Sequence, residues 1–208
     1  MDVQVTPQKG RIEVITGCMF SSKTEELIHR AQRAEIAGDG LLAFKPKIDN
    51  RYEKEAIVTH RGIKVDAKPV ENDESGCREI LEEVLRADEE IDVIVIDEIN
   101  FFSDNIIPVV EELAAEDYRI ILSGLDQTFR GEPFGPVPQL LSLADHVEKR
   151  QAVCEVCGEP ATKTQRLIDS EPAPYDSPTI DVGGEEKYEP RCRSCHEVPG
   201  KEETHLSH

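Results

Sequence analysis

The sequence predicts an α/β fold, with a parallel sheet covered by helices and a small second unit after it in the chain. Up to about residue 150, apolar strand-like stretches alternate with helix-like stretches, which is typical of βαβ units. From Cys154 onward that alternation stops, and Gly, Pro and polar residues stand between two C-x-x-C pairs. The 208 residues suit one sizeable domain with a small appendage, or two small domains.

The first half of the chain supplies two strands and two helices. RIEVIT at 11–16 predicts a buried strand, and the apolar spacing of 23–37 predicts a helix that ends at Gly38. LLAFK at 41–45 predicts the second strand. The polar stretch 47–70 predicts a loop that carries a hairpin, and CREILEEVLRA, which follows it, has the pattern of an amphipathic helix.

The second half continues the alternation. IDVIVIDE, ending at Glu98, is an apolar run of the kind found in buried parallel strands. The next helix has Asp104 as its candidate N-cap and carries Pro108 in its first turn, where proline is tolerated. YRIILSG predicts a further strand, and a short helix at 138–144 leads to a strand near HVEKRQAV.

These patterns divide the chain into four segments. We expect a flexible N-terminus at 1–10, an α/β domain at 11–150, a cysteine-held domain at 151–200 and a disordered tail at 201–208.

The charge balance excludes some functions. With 43 acidic and 24 basic residues the net charge is −19, so the basic footprint of a general nucleic-acid binder is missing. The longest apolar run, 93–96, is too short to cross a bilayer, and the N-terminus has no apolar stretch typical of a signal peptide. We therefore expect a soluble intracellular protein without nucleic-acid or membrane partners. Adaptation to high salt would explain the acidity.

The stretch TGCMFSSKT resembles a phosphate-binding loop, G-x-x-x-x-G-K-[ST], with serine at the last glycine position. Backbone N–H groups of such a loop point at phosphates, Lys23 reaches the outer phosphates, and the Thr24 hydroxyl ligates Mg²⁺. The alternative is a Gly-Ser turn in which a serine caps the helix. The candidate ATP-binding residues here are Gly17, Cys18, Met19, Phe20, Ser21, Ser22, Lys23 and Thr24.

A second motif favours the nucleotide interpretation. The strand at 93–96 runs into Asp97 and Glu98, at the sheet edge where open α/β folds bind ligands. Asp97 can hold Mg²⁺ and Glu98 can act as general base toward a hydroxyl or water. The alternative is a pair of solvated acids at a strand end.

Six cysteines are present, and four of them form the two C-x-x-C pairs. Cys154, Cys157, Cys192 and Cys195 can converge on one Zn²⁺, and four thiolates leave no open position, so the metal would be structural. A redox pair or unused thiols are the alternatives. Cys18 and Cys77 are expected to be small buried residues, although Cys18, near a helix N-terminus, could be reactive.

Aromatic residues gather near the predicted ligand edge. Of five such residues, four fall in loops just after strand ends, which favours a stacking pocket for a flat ring over ordinary core packing. They are Phe101, Phe102, Phe129, Phe134 and Tyr188.

Together these stretches resemble the thymidine kinase family of the cellular, zinc-containing type, over roughly residues 11–196. The motifs that carry the resemblance are GCMFSSKTEEL, KPKIDNRY with TH after it, IDEINFF, LDQTFRGEPFG, TKTQRL, GGEEKYEPRCRSC and the pair at 154 and 157. The chain departs from the family pattern at Ser22, at DEIN where DEGQ or DEAQ is usual, and in the longer segment IDSEPAPYDSPTIDVGG.

The resemblance implies an ATP-dependent kinase that phosphorylates the 5′-hydroxyl of thymidine, and of deoxyuridine with it, for nucleotide salvage. It also implies Mg²⁺ for catalysis, structural Zn²⁺, a zinc-anchored lasso domain that closes over the nucleoside, and a cytoplasmic homotetramer. Glu98 matches the catalytic base. Further ATP and Mg²⁺ positions are Asp49, Asn50, Arg51, Asp97, Ile99 and Asn100.

Substrate positions also follow from the resemblance. Phe129 and Tyr188 match substrate contacts, and the wall of the base pocket matches Met19, Phe101, Leu125, Phe134 and Thr164. The lasso backbone that reads the thymine edge matches Thr179, Ile180, Asp181, Val182 and Gly183.

Two other functions compete with this one. A P-loop ATPase or regulator whose zinc unit binds nucleic acid is disfavoured by the acidic charge, because the zinc unit has only small basic spots at 163–166 and 191–193. A kinase-like protein with a dead site would rest on Ser22, yet the other expected catalytic groups are present.

Overall fold

A computed structural model describes residues 10–49, 55–59, 62–87, 90–179 and 188–202. The expected flexible ends therefore lie almost entirely outside the described residues. So do six of the predicted site residues: Asn50, Arg51, Ile180, Asp181, Val182 and Gly183.

The described residues form a central sheet of six parallel strands in the order β5-β2-β6-β7-β1-β8. Apolar strands β1, β6 and β7 lie in its middle, where both faces are covered, as their continuous apolar runs predict. The carboxyl ends of β1 and β6 therefore open at one sheet edge. The strands are β1 (Arg11–Gly17), β2 (Leu41–Pro46), β5 (Lys68–Val70), β6 (Val93–Ile96), β7 (Arg119–Gly124) and β8 (His146–Arg150).

Four α-helices in the described residues cover the sheet: α1 (Lys23–Ala37), α2 (Glu74–Arg86), α3 (Ile106–Ala115) and α4 (Val137–Leu143). On one face, Leu27 and Ala31 of α1 pack with Val95 of β6. On the other, residues of α2, α3 and α4 pack with alternate strand residues such as Ile94 and Ile120. This alternation confirms the predicted two-sided sheet. None of the described helices is both long and apolar enough to cross a membrane.

The helix ends follow local chemistry. α1 ends at Gly38, whose left-handed φ of 92° lets its N–H reach the carbonyls of Ala34 and Glu35, as predicted. α2 begins at Glu74, three residues earlier than expected, because the Asp73 side chain accepts hydrogen bonds from two backbone amides.

Three sequence expectations need correction or detail. Asp104 is not the N-cap of α3, since Asn105 takes that position and makes no side-chain cap bond. The hairpin expected in 47–70 is present as β3 (Ala56–Val58) and β4 (Lys64–Asp66). The same stretch also contributes β5, which pairs in parallel with β2 and was not predicted.

After the sheet strands the chain forms short antiparallel strands, which with the turns between them we call the cysteine unit (described residues from 151 on). β11 pairs with both β12 and β13, and β9 pairs with β10. The strands are β9 (Ala152–Val153), β10 (Pro160–Ala161), β11 (Lys163–Ile168), β12 (Glu171–Pro172) and β13 (Tyr188–Arg191).

Candidate active site

The loop between β1 and α1 has the backbone of a tight phosphate cradle. Gly17 has φ 140°, and a Cβ there would lie 2.3 Å from the carbonyl oxygen of Arg150. Phe20 and Ser22 have φ 63° and 59°, values that L side chains rarely adopt. Arg150 Nε also donates to the carbonyl oxygen of Ser21 at 2.9 Å. The loop is therefore fitted closely against the end of β8.

Ser22 adopts the left-handed conformation that glycine would adopt without cost, with φ 59° and ψ 37°. Its side chain makes no capping hydrogen bond to the helix, which removes the alternative of a simple serine-capped turn. A left-handed L-residue costs about 1–2 kcal/mol. The serine thus keeps the geometry of the loop at an energetic cost.

Two side chains of the loop turn inward. Lys23 Nζ and Ser21 Oγ each donate to the carbonyl oxygen of Cys18 at 2.8 Å. Lys23 is buried, 9% exposed, directly at the start of α1. A cation and the N-terminal dipole of a helix both favour a bound anion, so the loop suits a phosphate group.

The two acids after β6 lie beside this loop. Thr24 Oγ1 donates to Asp97 Oδ2 at 3.4 Å, and the backbone N–H of Glu98 donates to Asp97 Oδ1 at 2.9 Å. Burial and the neighbouring charge of Glu98 raise the pKa of Asp97 to about 7. Two buried carboxylates next to a hydroxyl are suited to hold a divalent oxygen-liganded cation.

A cavity of about 230 Å³ connects these groups, lined by Met19, Phe20, Ser22, Lys23, Thr24, Glu25, Lys45, Asp49, Ile57, Val58, Thr59, Asp97 and Glu98. It brings together five of the eight predicted P-loop residues, both acids and Asp49. Glu98 itself has φ 52°. Such a left-handed backbone at a non-glycine residue is often found at functional sites.

Lys45 is a cavity residue that sequence reasoning missed. It ends up 2% exposed, with Nζ 3.4 Å from Asp49 Oδ2 and 3.2 Å from the Ala56 carbonyl oxygen. The sequence pointed to Lys45 only through its position at the carboxyl end of β2, the sheet edge where ligands bind in such folds. Lys45 supplies a second positive charge to a cavity that already contains Lys23.

Two predicted ATP-site residues are placed elsewhere. Ile99 and Asn100 form a single-turn 3-10 helix (Ile99–Phe101) and are 0% and 2% exposed. Neither is among the residues that line the cavity. Asn100 Oδ1 instead accepts the backbone N–H of Leu125 at 2.9 Å. Asn100 therefore fixes the start of the loop after β7, which carries predicted substrate contacts.

Contacts join several predicted base-pocket residues. The Met19 N–H donates to Thr164 Oγ1 at 3.0 Å, linking the P-loop to β11. The Phe101 and Phe134 rings meet edge to face, with centroids 5.8 Å apart. The two rings form a small aromatic wall.

Arg166, a second residue that sequence reasoning did not assign, lies beside the Phe129 ring and opposite Tyr188 in the strand pairing. The Arg166 guanidinium lies 5.7 Å from the Phe129 ring centroid, and Arg166 pairs with Tyr188 across β11 and β13. Arg166 also donates to the carbonyl oxygen of Pro178, next to half-buried Thr179. One arginine thus links the described start of the expected lasso segment to the Phe129 ring.

The four predicted zinc ligands converge. The Sγ atoms of Cys154, Cys157, Cys192 and Cys195 all lie within 4.8 Å of one another. Cys157 Sγ and Cys192 Sγ are 3.7 Å apart, which matches the roughly 3.8 Å expected for tetrahedral Zn–S bonds of about 2.3 Å. The donor set and its spacing fit structural zinc.

The other two cysteines are buried. Cys18 is 3% exposed, donates to the Ala161 carbonyl oxygen at 3.4 Å and packs in a cluster with Cys154. Burial raises the pKa of both Cys18 and Cys77. This environment favours the expected inert role over a reactive thiol.

The parallel sheet and the four-cysteine cluster fit a nucleotide-binding, zinc-containing transferase. The family model for thymidine kinase matches residues 10–196. The chain therefore belongs to the thymidine kinase family, and its activity is that of a kinase that phosphorylates thymidine in nucleotide salvage.

Proposed function

We propose that the protein transfers the terminal phosphoryl group of ATP to the 5′-hydroxyl of thymidine, and also of deoxyuridine. The observation that supports this most is the single cavity shared by Lys23, Thr24 and the acids Asp97 and Glu98. A cradle for phosphates and a carboxylate base are thereby adjacent, as phosphoryl transfer to a hydroxyl requires.

In this proposal the loop 17–24 binds the phosphate chain through backbone N–H groups, and Lys23 releases the Cys18 carbonyl to contact it. Thr24 and Asp97 would hold Mg²⁺, whose charge neutralises the phosphates. Lys45 and Asp49 face the same space. Lys45 would add a second positive charge near the transferred group.

Glu98 would accept the proton of the nucleoside hydroxyl. It is 8% exposed, so the surrounding residues limit how far its carboxylate can move away. Met19, Phe101, Phe129, Phe134 and Tyr188 would bind the base, with Leu125 and Thr164 beside them. The remaining assignments, Asn50, Arg51 and 180–183, follow from the family resemblance, as do a homotetramer and a cytoplasmic location.

The test is Glu98→Gln, which removes the base and keeps the shape. We expect kcat to fall about 10²-fold or more, since general bases contribute about 10²–10⁴. Binding of ATP and thymidine, measured by calorimetry, should persist. Glu111→Gln, the same change on the exposed face of α3, is the matched control. Near-normal turnover of Glu98→Gln would remove Glu98 from this role.

A substrate panel tests the specificity. Thymidine, deoxyuridine and deoxycytidine are each supplied with magnesium ATP, and monophosphate formation is followed. We expect the first two to react and deoxycytidine to fail, because its exchanged donor would leave buried groups unpaired. Equal rates with deoxycytidine would contradict the proposed base recognition.

A further inference from the structure

A second cavity, of about 580 Å³, lies open to solvent where the loop after β7 meets the cysteine unit. Arg130 and Gly131 line it from the loop, Lys163 lines it from β11, and 193–202 supply the rest. It shares no lining residue with the 230 Å³ cavity. The proposed function gives this second cavity no role.

The lining is cationic in an otherwise acidic protein. Arg130, Lys163, Arg193 and Lys201 face two carboxylates, those of Glu197 and Glu202. The chain as a whole carries a net charge of −19. An excess of positive charge here runs against the average charge of the molecule and creates a local potential that attracts anions.

One of these cations, Lys163, has little compensation. Lys163 is 8% exposed, and its Nζ donates at 2.6 Å to the neutral amide oxygen of Gln127. The nearby carboxylate of Asp126 is engaged by Lys149 at 2.6 Å. Burial, followed by the charge of Arg193, lowers the pKa of Lys163. A buried cation without a carboxylate partner is costly, and a bound anion would relieve that cost.

The entrance is kept open by Gly131. Its φ is 72°, and a Cβ there would lie 3.5 Å from Lys163 Nζ and 3.7 Å from His196 Cε1. A larger residue would strain the turn, and its Cβ would be in van der Waals contact with the ammonium group. The glycine leaves Lys163 accessible to a ligand.

We propose that this cavity is a second anion site, which binds pyrophosphate or the phosphate chain of a nucleotide. The separated cations suit a ligand with several negative charges, and Arg193 and Lys201 can each make charge-assisted hydrogen bonds to its oxygens. The volume suits a small ligand of this class.

The site contacts the wall of the proposed base pocket. His196 Nε2 lies 2.8 Å from the carbonyl oxygen of Phe129, and Lys163 directly precedes Thr164 in β11. An anion that restrains these residues would preorganise the base pocket. We therefore expect pyrophosphate to tighten thymidine binding about fivefold, at the lower end of typical allosteric couplings; this coupling rests on the proposed function.

Pyrophosphate binding to the Lys23→Ala protein tests the site, because that variant weakens the P-loop as a competing phosphate site. Calorimetry should show one pyrophosphate per chain. Adding Arg193→Ala or Lys201→Ala should weaken binding about tenfold, the magnitude of one charge-assisted hydrogen bond. Arg86→Ala, an equal charge change at the exposed end of α2, should have no effect.

Further measurements keep the outcome clear. Zinc content must be unchanged in Arg193→Ala, since Arg193 lies between two cysteines of the cluster. If Lys23→Ala does not fold, wild-type protein should bind two pyrophosphates, and Lys201→Ala should bind one of the two about tenfold more weakly. ATP in place of pyrophosphate distinguishes a nucleotide from the free anion. Pyrophosphate binding that is absent, or unchanged in both cavity variants, would overturn the site.

The coupling has its own readout. Thymidine affinity of the Lys23→Ala protein is measured with and without pyrophosphate, and an unchanged value would overturn the coupling. Neither binding measurement needs turnover. Loss of the anion site and loss of the proposed kinase mechanism would therefore be distinguishable.

Discussion

The sheet domain around the P-loop and the cysteine unit that follows it in the chain are stabilised differently. In the sheet domain, two layers of apolar residues cover both faces of six strands. In the cysteine unit the strands have two to six residues, and Cys154 and Ala161 form only a small buried cluster with Cys18 of the P-loop. One region depends on hydrophobic burial, and the other is too small for that and depends on its cysteines.

This difference in stabilisation determines which of the two regions a substitution affects. The proposed catalytic groups Lys23 and Glu98 rest on the sheet domain, whereas Thr164 and Tyr188 lie on strands of the cysteine unit. The proposed substrate pocket between them needs both. We expect loss of the metal to spare the phosphate cradle but to remove part of the base pocket.

Removing the metal ligand should give the largest effect. Cys192→Ala should abolish stoichiometric zinc and most thymidine kinase activity, because structural zinc contributes about 10–16 kcal/mol in small sites. Zinc analysis and far-UV circular dichroism measure the two regions separately, and the sheet signal should persist. Cys77→Ala, at a buried cysteine of α2, should keep its zinc. Full activity without zinc would contradict the comparison.

A buried ion cluster in the sheet domain should give the next effect. Glu13 accepts hydrogen bonds from Arg11, Arg30 and Arg119 at 2.8, 2.9 and 2.7 Å. Burial alone would raise the pKa of Glu13, but the hydrogen bonds from Arg119 and Arg11 prevail and lower it from 4.5 to about 2. Glu13→Gln should cost on the order of 3 kcal/mol of unfolding free energy.

The pH dependence follows from that depressed pKa. Above about pH 4.5 Glu13 is ionised in both states and its stabilisation is complete. As the pH falls from 4.5 toward 2, the unfolded chain takes up the proton first, so the stabilisation is lost. Urea unfolding of wild type and Glu13→Gln across this range should converge at low pH. A difference independent of pH would disprove the assignment.

The smallest effect concerns strain in the P-loop. Ser22→Gly should raise the free energy of unfolding by about 0.5–1 kcal/mol. Glycine adopts φ 59° without strain, and this gain exceeds the loss that comes from a more flexible unfolded chain. Ser22→Ala keeps the strain and removes only the hydroxyl, so it is the matched control. If alanine stabilises as much as glycine, the effect does not come from the backbone.

Much of the sheet domain was predictable because its signals are local or periodic. The apolar runs of β1, β6 and β7 and the stop at Gly38 each predict one element directly. β5 was missed because it has three residues, one of them proline, and forms only by pairing with β2. The early start of α2 depends on capping by Asp73, a contact that hydrophobic periodicity does not report.

The candidate site shows the same limit. Lys23, Asp97, Glu98 and the cysteines carry motifs with fixed spacing. Lys45 and Arg166 have no motif and become site residues only because burial places them at a cavity or an aromatic ring. The cationic cavity joins residues from three separate stretches, so no local pattern announces it.

The contact between Gly17 and β8 has a consequence for how this motif is interpreted in related chains. The Arg150 carbonyl leaves no room for a Cβ at position 17, whether or not a nucleotide is bound. Folding alone therefore selects glycine there, and a descendant that had lost its catalysis would retain it. In such a lineage Lys23 and Glu98, the proposed phosphate-binding and base residues, would be the markers of an active enzyme.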